Sequence, residues 1–171
     1  MGRWYVGIDP GNQGAIVGLG PDDEVVVVPG GRPVSLAWAG DSARYAALLE
    51  VREHAKEEGG RIAFVVLEEQ SIRSGQRAQA KAVREQGMWE GWLMAHGIPY
   101  GVYSPRGKSG WRALLGKGSF KRTEDTKAWA HDLCTRRLPN LDPHFGGKLR
   151  KWHDGVCDAA AMALAARAAA T

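Results

Sequence analysis

Asp9 stands where an alternating apolar run, residues 4–9, meets the turn-forming residues Pro10, Gly11, Asn12, Gln13 and Gly14. Aspartate is disfavoured inside strands, so a carboxylate here marks the strand's end, where it either projects from the sheet edge or satisfies backbone amides of the turn. Glu68 closes the apolar run Phe64, Val65, Val66, Leu67. A charge at the exit of a core strand is costly unless it is paired or bound to a metal. Glu69 follows directly. Neighbouring strand residues face opposite sides, so only one of these two glutamates can share a site with Asp9. Asp154 and Asp158 lie in the segment His153, Asp154, Gly155, Val156, Cys157, Asp158, Ala159. A spacing of four puts their Cβ atoms about 5–6 Å apart on one helical face, fit to clamp a cation. The plainer use of the same two acids is to cap and favour a helix start. Several carboxylates gathered at one site repel one another unless a divalent cation neutralises them, and hard oxygen donors without cysteine point to Mg²⁺ or Mn²⁺.

A second chemistry-bearing pattern is cationic. Arg73, Arg77, Lys81 and Arg84 follow spacings of four, four and three, which on a helix make one stripe with no acid before Glu85. Such a stripe suits a phosphate backbone; otherwise it is an ordinary solvated face. From Tyr103 to Lys151 there are twelve lysines and arginines against four acids. That block, with Lys117, Lys121, Arg122 and Lys127 as further candidates for a phosphate, fits a polyanion. Trp111 falls in a basic loop of this block, where it either stacks on a base or packs in the core, and the core is the expected place. Gly87, Gly91 and Ala95 put small residues at four-residue spacing, which permits close approach of another helix.

The elements that must position these residues follow from periodicity and punctuation. Residues 4–9 and 15–19 flank the first turn as a hairpin, and residues 24–28 add a third strand of an antiparallel meander. Asp41 is a plausible N-cap for a helix stopped by Gly59 and Gly60. Residues 62–67 form a continuous apolar run, the pattern of a strand covered on both faces. A helix over 76–96, a short strand over 100–103, a helix over 123–137, a basic loop and an Ala-rich helix over 154–170 complete the order. Three strands, helix, strand, helix, strand and two helices predict an α/β fold, a mixed sheet with an N-terminal three-stranded antiparallel meander flanked by helices.

The length, 171 residues, and a composition 44% hydrophobic and 25% charged suit a single domain over 1–171 and exclude a disordered or collagen-like chain. No run matches the roughly 20 strongly apolar residues of a membrane span, and the N-terminus lacks the regions of a signal peptide. Two cysteines, Cys134 and Cys157, make neither a zinc knuckle nor a disulfide framework and indicate a reducing, cytoplasmic compartment. The net charge of +4 matters less than its placement.

Three acidic motifs in order carry a family resemblance. They are Gly7, Ile8, Asp9, Pro10, Gly11 with Gly14; the apolar strand ending in Glu68 with Gly75 and Gln76 beyond it; and His153, Asp154, Gly155 with Asp158 and Ala159. Together they resemble RuvC-type Holliday junction resolvases, particularly the phage-like branch, over nearly the whole chain. The resemblance implies an RNase H-like fold, a cytoplasmic protein of a bacterial or phage-infected cell, and a homodimer that resolves four-way DNA junctions in recombination and repair by paired nicks. It implies two Mg²⁺ ions per active site, with Mn²⁺ as substitute, held by Asp9, Glu68, Asp154 and Asp158, and it favours Glu68 over Glu69. Many family members place the last two metal-site residues three apart, whereas Gly155 occupies that position here; Asp154 takes the role, with His153 as the fallback. The stripe of Arg73, Arg77, Lys81 and Arg84 would then hold the branched DNA. Competing expectations are an RNase H-like nuclease acting on RNA/DNA hybrids or other branched DNA, an actin-like phosphate-binding protein, for which the chain is short, and a junction-binding module without catalysis.

Overall fold

The computed structural model describes residues 1–10, 14–28, 41–70, 77–117, 123–141 and 154–171, with the side chains of 28, 41–43, 77–79, 81, 82, 123, 124 and 154 outside that description. Strands β1 (Gly2–Ile8), β2 (Ile16–Leu19) and β3 (Val25–Val28) are followed by α1 (Asp41–Glu57), β4 (Gly60–Glu68), α2 (Arg77–Ala95) and β5 (Tyr100–Tyr103). Three helices complete the chain: α3 (Trp111–Leu114), α4 (Thr123–Arg137) and α5 (Asp154–Ala169). The strands form one five-stranded sheet in the order β3-β2-β1-β4-β5. β2 is antiparallel to β1 and to β3, whereas β4 is parallel to both β1 and β5.

The alternation of strand side chains divides the core. On one face Val6, Ile8, Ile62, Val65 and Leu67 pack with Leu48 and Val51 of α1 and Trp89 and Leu93 of α2. Arg44 of α1 and Glu85 of α2, each 5% exposed at the side chain, meet at 3.1 Å on that side. On the other face Tyr5 and Val66 pack against Met162, Ala165 and Ala166 of α5, with Trp111. Helix α5 is buried almost all round: every residue from Gly155 to Ala166 is buried except Asp158. Its alanines fit that position, since they form helix well and leave room for close neighbours on every side.

One contact sets the depth of α5. A Cβ at Gly7 of β1 would stand 1.9 Å from the Ala159 carbonyl oxygen and 2.6 Å from the Ala163 nitrogen. The missing side chain therefore lets the helix backbone rest directly on β1. Two helices stop at left-handed glycines, α1 at Gly59 (φ 67°) and α2 at Gly97 (φ 62°), where a side chain would be strained. Among the described residues no helix is long and apolar enough to cross a membrane.

The fold is the expected mixed sheet with an antiparallel meander at its start and helices on both faces. The short helix α3 was not expected: Trp111 to Leu114 read as loop because their neighbourhood is rich in Gly, Lys and Arg. Four residues offer too little periodicity to show a helix. Cys134 and Cys157 are both free and buried, and the Cys134 Sγ–H donates to the Cys157 carbonyl at 3.4 Å.

Candidate active site

The three parallel strands β1, β4 and β5 leave the sheet at one edge. In open α/β sheets the carboxyl ends of the strands are where ligands bind, because the loops leaving them converge. Ile8 pairs with Leu67 and Glu68 with Tyr103, so Asp9, Glu68 and the segment after Tyr103 follow one another across adjacent strands. Asp9 also closes the first hairpin through its backbone, its N–H donating to the Ala15 carbonyl at 3.0 Å. Pleating puts Asp9 on the same side as Gly7, and Glu68 on the same side as Val66, which is the side covered by α5. Glu69 falls on the opposite side and is exposed.

Asp158 comes from the sequence-distant α5. The seating of that helix at Gly7 brings its first turns to the edge where β1 ends. It is the one charged residue in the buried run from Gly155 to Ala166, a position that is costly without compensation.

The Glu68 carboxyl reports the result. Burial, then the charges of Asp9 and Asp158, push it up to about 8, while a hydrogen bond from Trp111 and the charge of Arg112 pull the other way. Three carboxylates from the amino end, the middle and the carboxyl end of the chain thus share one electrostatic environment. Trp111 Nε1–H donates to Glu68 Oε2 at 3.1 Å. The indole is fully buried, so the core position expected for Trp111 and its contact with a charged group coexist. Its placement follows from the tight loop after β5, where the Trp111 N–H donates to the Ser104 carbonyl at 3.1 Å. Arg112 lies over the Trp111 ring, 4.5 Å from its centroid, and donates from Nη1 to the Pro105 carbonyl. Burial lowers the Arg112 guanidinium from its usual value, with Asp158 and Glu68 acting against that.

Sequence reasoning left Arg112 as one base among twelve and gave Trp111 no chemical partner. The available signal was topological: both residues open the first element after the third parallel strand, the place where that strand's loop must meet those of β1 and β4.

The other expected site residues are placed as follows. Asp154 begins α5, but its side chain lies outside the described residues, as does all of His153. Arg73 lies outside them too; Arg77 and Lys81 are on α2 with undescribed side chains, and Arg84 is exposed on that helix. Lys117 and Lys127 are exposed, and Lys121 and Arg122 are outside the description.

The donor set suits a hard divalent ion: carboxylate oxygens, with no thiol or imidazole among Asp9, Glu68 and Asp158. A raised carboxyl beside two others is the charge state that a cation relieves by replacing the proton. Among the described residues, the trio whose ligand atoms all lie within 4.8 Å of one another is a different one, Glu24, His54 and Glu58. Glu24 precedes β3, at the far end of the sheet, and accepts a 2.8 Å hydrogen bond from His54, so that trio belongs to a side-chain pairing away from the strand exits.

No family model matches the chain, and no curated protein matches it in sequence. Solved structures do match. Thermus thermophilus RuvC is similar at 22% identity and a TM-score of 0.50, covering 96% of this chain and 92% of that one. The T. thermophilus RuvC in complex with Holliday junction substrate gives 20% identity, a TM-score of 0.51 and the same coverage of 96% and 92%. The yeast mitochondrial Holliday junction resolvase Ydc2 is matched at 17% identity and a TM-score of 0.45, over 94% of this chain and 75% of that one. The mixed β3-β2-β1-β4-β5 sheet with helices on both faces, and the similarity to the T. thermophilus RuvC structures over almost the full length of both chains, give this protein an RNase H-like fold.

Proposed function

We propose that this protein is a metal-dependent endonuclease that resolves four-way DNA junctions, working as a homodimer that places two equivalent carboxylate sites on symmetry-related strands. The observation that carries the reading is the raised carboxyl of Glu68 between Asp9 and Asp158, at the edge where three parallel strands end. The RuvC fold supports it, one of the matched structures being bound to a Holliday junction.

Asp9, Glu68 and Asp158 would hold the divalent ions, Mg²⁺ or Mn²⁺, with Asp154 as a fourth ligand. A divalent ion held there would supply a lowered pKa for a water nucleophile and charge stabilisation for the leaving 3′ oxygen of a phosphodiester, two ions being the expected number. Asp9, at the end of the strand next to β4, is the central carboxylate. Trp111 holds one oxygen of Glu68 and so orients the other. Arg112 offsets part of the negative charge of Glu68 and Asp158 and suits a phosphate oxygen of the substrate.

Two-fold symmetry of the junction calls for two sites, and a C₂ dimer is the simplest way to supply them. The reading of α2 as the dimer face is supported by its surface. Gly87 and Gly91 have open space where a Cβ would sit, Ala95 is exposed in the same stripe, and Met94 beside them is 68% exposed. Arg77, Lys81 and Arg84 of α2, together with Arg73, which lies outside the described residues, are proposed to track the DNA backbone.

The test is incubation of end-labelled four-way junction, fork, linear duplex and RNA/DNA hybrid with Mg²⁺. Paired nicks on opposing strands of the junction are expected, lost in Asp9→Asn while junction binding in Ca²⁺ persists. Preferential cleavage of the RNA strand, or cleavage by Asp9→Asn, overturns the reading.

A further inference from the structure

At the other edge of the sheet, where β1 and β4 begin, a cavity of about 480 Å³ is lined by Arg3, Arg52, Lys56, Arg61 and His96, and by no acidic residue among the described ones. We propose that this cavity is a second phosphate-binding site, separate from the carboxylate edge, for a phosphate or phosphodiester group. Arg3 and Asp9 are six steps apart along extended chain, which separates the two regions by about 20 Å.

The strongest support is the pair Arg3 and Arg61. They are register partners on adjacent parallel strands, so their side chains leave the sheet side by side. Both are exposed, and among the described residues neither forms an ion pair. Like charges in direct cross-strand opposition destabilise a sheet. An anion between them converts that repulsion into charge-assisted hydrogen bonds, for which the guanidinium fork matches phosphate.

Arg52 is held differently. Its Nη1 donates to His96 Nδ1 at 3.0 Å, and His96 Nε2 meets the Tyr45 hydroxyl at 2.7 Å. A guanidinium can only donate, so Nδ1 is the accepting nitrogen and the ring proton sits on Nε2, facing Tyr45. One of five Arg52 donors is spent on this relay, which fixes the group while the others stay available. Lys56 contributes least, because Glu53 pairs with it at 2.6 Å.

A merely solvated surface would mix both signs. Helix α1 carries Glu50, Glu53 and Glu57 beside Arg52 and Lys56, yet none of these acids lines the cavity. Its volume is within the range of small-ligand sites, about 300–1,000 Å³, and large enough for a pyrophosphate or for one stretch of backbone.

The phosphate can belong to a DNA backbone or to a free ligand, and two measurements separate these sources. Both use the full chain in EDTA, so that neither depends on cleavage. Melting is followed with added pyrophosphate, and affinity for labelled duplex and four-way junction is followed against salt concentration. The Arg3→Gln, Arg61→Gln double variant is compared with an Ala46→Glu, Asn140→Asp control of equal charge change at exposed positions outside the cavity. If the source is a free phosphate, pyrophosphate raises the melting temperature of the wild type and of the control but not of the double variant. If the source is DNA, the salt slope of the double variant is shallower by about 1.8, two phosphate contacts, than that of the wild type and control. A double variant that matches the control in both measurements overturns the proposal.

Discussion

Trp111 donates its indole N–H to Glu68 Oε2 at 3.1 Å, joining the first residue of α3 to the last residue of β4. The donor comes from the fully buried side chain of a residue in the core, so its direction is set by packing. In Trp111→Phe the ring packing is largely kept and the donor is lost. Groups that orient a metal-binding carboxylate typically account for 10–100-fold in metal affinity or activity. Junction cleavage by Trp111→Phe is expected to need roughly that factor more Mg²⁺ for half-maximal rate, with near-normal rate restored at saturation. An unchanged Mg²⁺ titration removes Trp111 from the site.

The raised Glu68 carboxyl has a consequence for stability. In the unfolded chain a glutamate loses its proton near 4.5, whereas folded Glu68 keeps it up to about 8. Between those values the metal-free folded state binds more protons than the unfolded one, so stability falls as pH rises through the window and levels off above it. Glu68→Gln removes this component. Denaturation midpoints measured with EDTA at about pH 5 and about pH 8 should show a smaller fall in the variant than in the wild type, and a more stable variant at the higher pH. A steeper fall in the variant would contradict the assignment.

Gly7→Ala tests how α5 is seated. The new methyl would lie 1.9 Å from the Ala159 carbonyl oxygen, a backbone atom that can yield only if the helix moves. Overpacking of a core costs about 1–3 kcal/mol, and contact this close belongs at or above the upper end. Urea denaturation should record that loss, and cleavage should fall with it because Asp158 is carried on the displaced helix. A midpoint equal to wild type would show that α5 does not rest on β1.

The Arg44–Glu85 pair joins α1 to α2 with both side chains 5% exposed. Glu85→Ala leaves a buried guanidinium without this carboxylate and should cost about 3–5 kcal/mol. Replacing both partners, Arg44→Met with Glu85→Leu, should recover most of the loss, since an apolar pair of similar size needs no desolvation of charge. Equal destabilisation by the single and double variants would show that the charges themselves are required.

Gly91→Gln tests the proposed dimer face. Nothing lies within 4 Å of a Cβ there, so the longer side chain is accommodated in one protomer and improves helix propensity. Sedimentation should show a shift from dimer to monomer, and junction nicks should appear singly. A dimer that survives the change places the interface elsewhere.

Much of this arrangement is legible in the order of residues. Alternation gives β1 and β2, the unbroken apolar run gives β4, and Gly59 and Gly97 end α1 and α2; these are local effects of pleat, helix period and left-handed backbone. Asp9 and Glu68 stand out because an acid at the end of an apolar strand conflicts with its own surroundings. Asp158, four residues from Asp154 at a helix start, has an ordinary capping use, and nothing within its own segment ties it to residue 9 or 68. That tie comes from a backbone-to-helix contact at Gly7, between positions about 150 residues apart. The partners of Glu68, Trp111 and Arg112, and the facing arginines Arg3 and Arg61, depend likewise on strand order, with β1 between β2 and β4 and β5 at the edge. Periodicity is written by near neighbours, whereas the meeting of remote side chains is decided by which surfaces pack, and only the folded sheet specifies that.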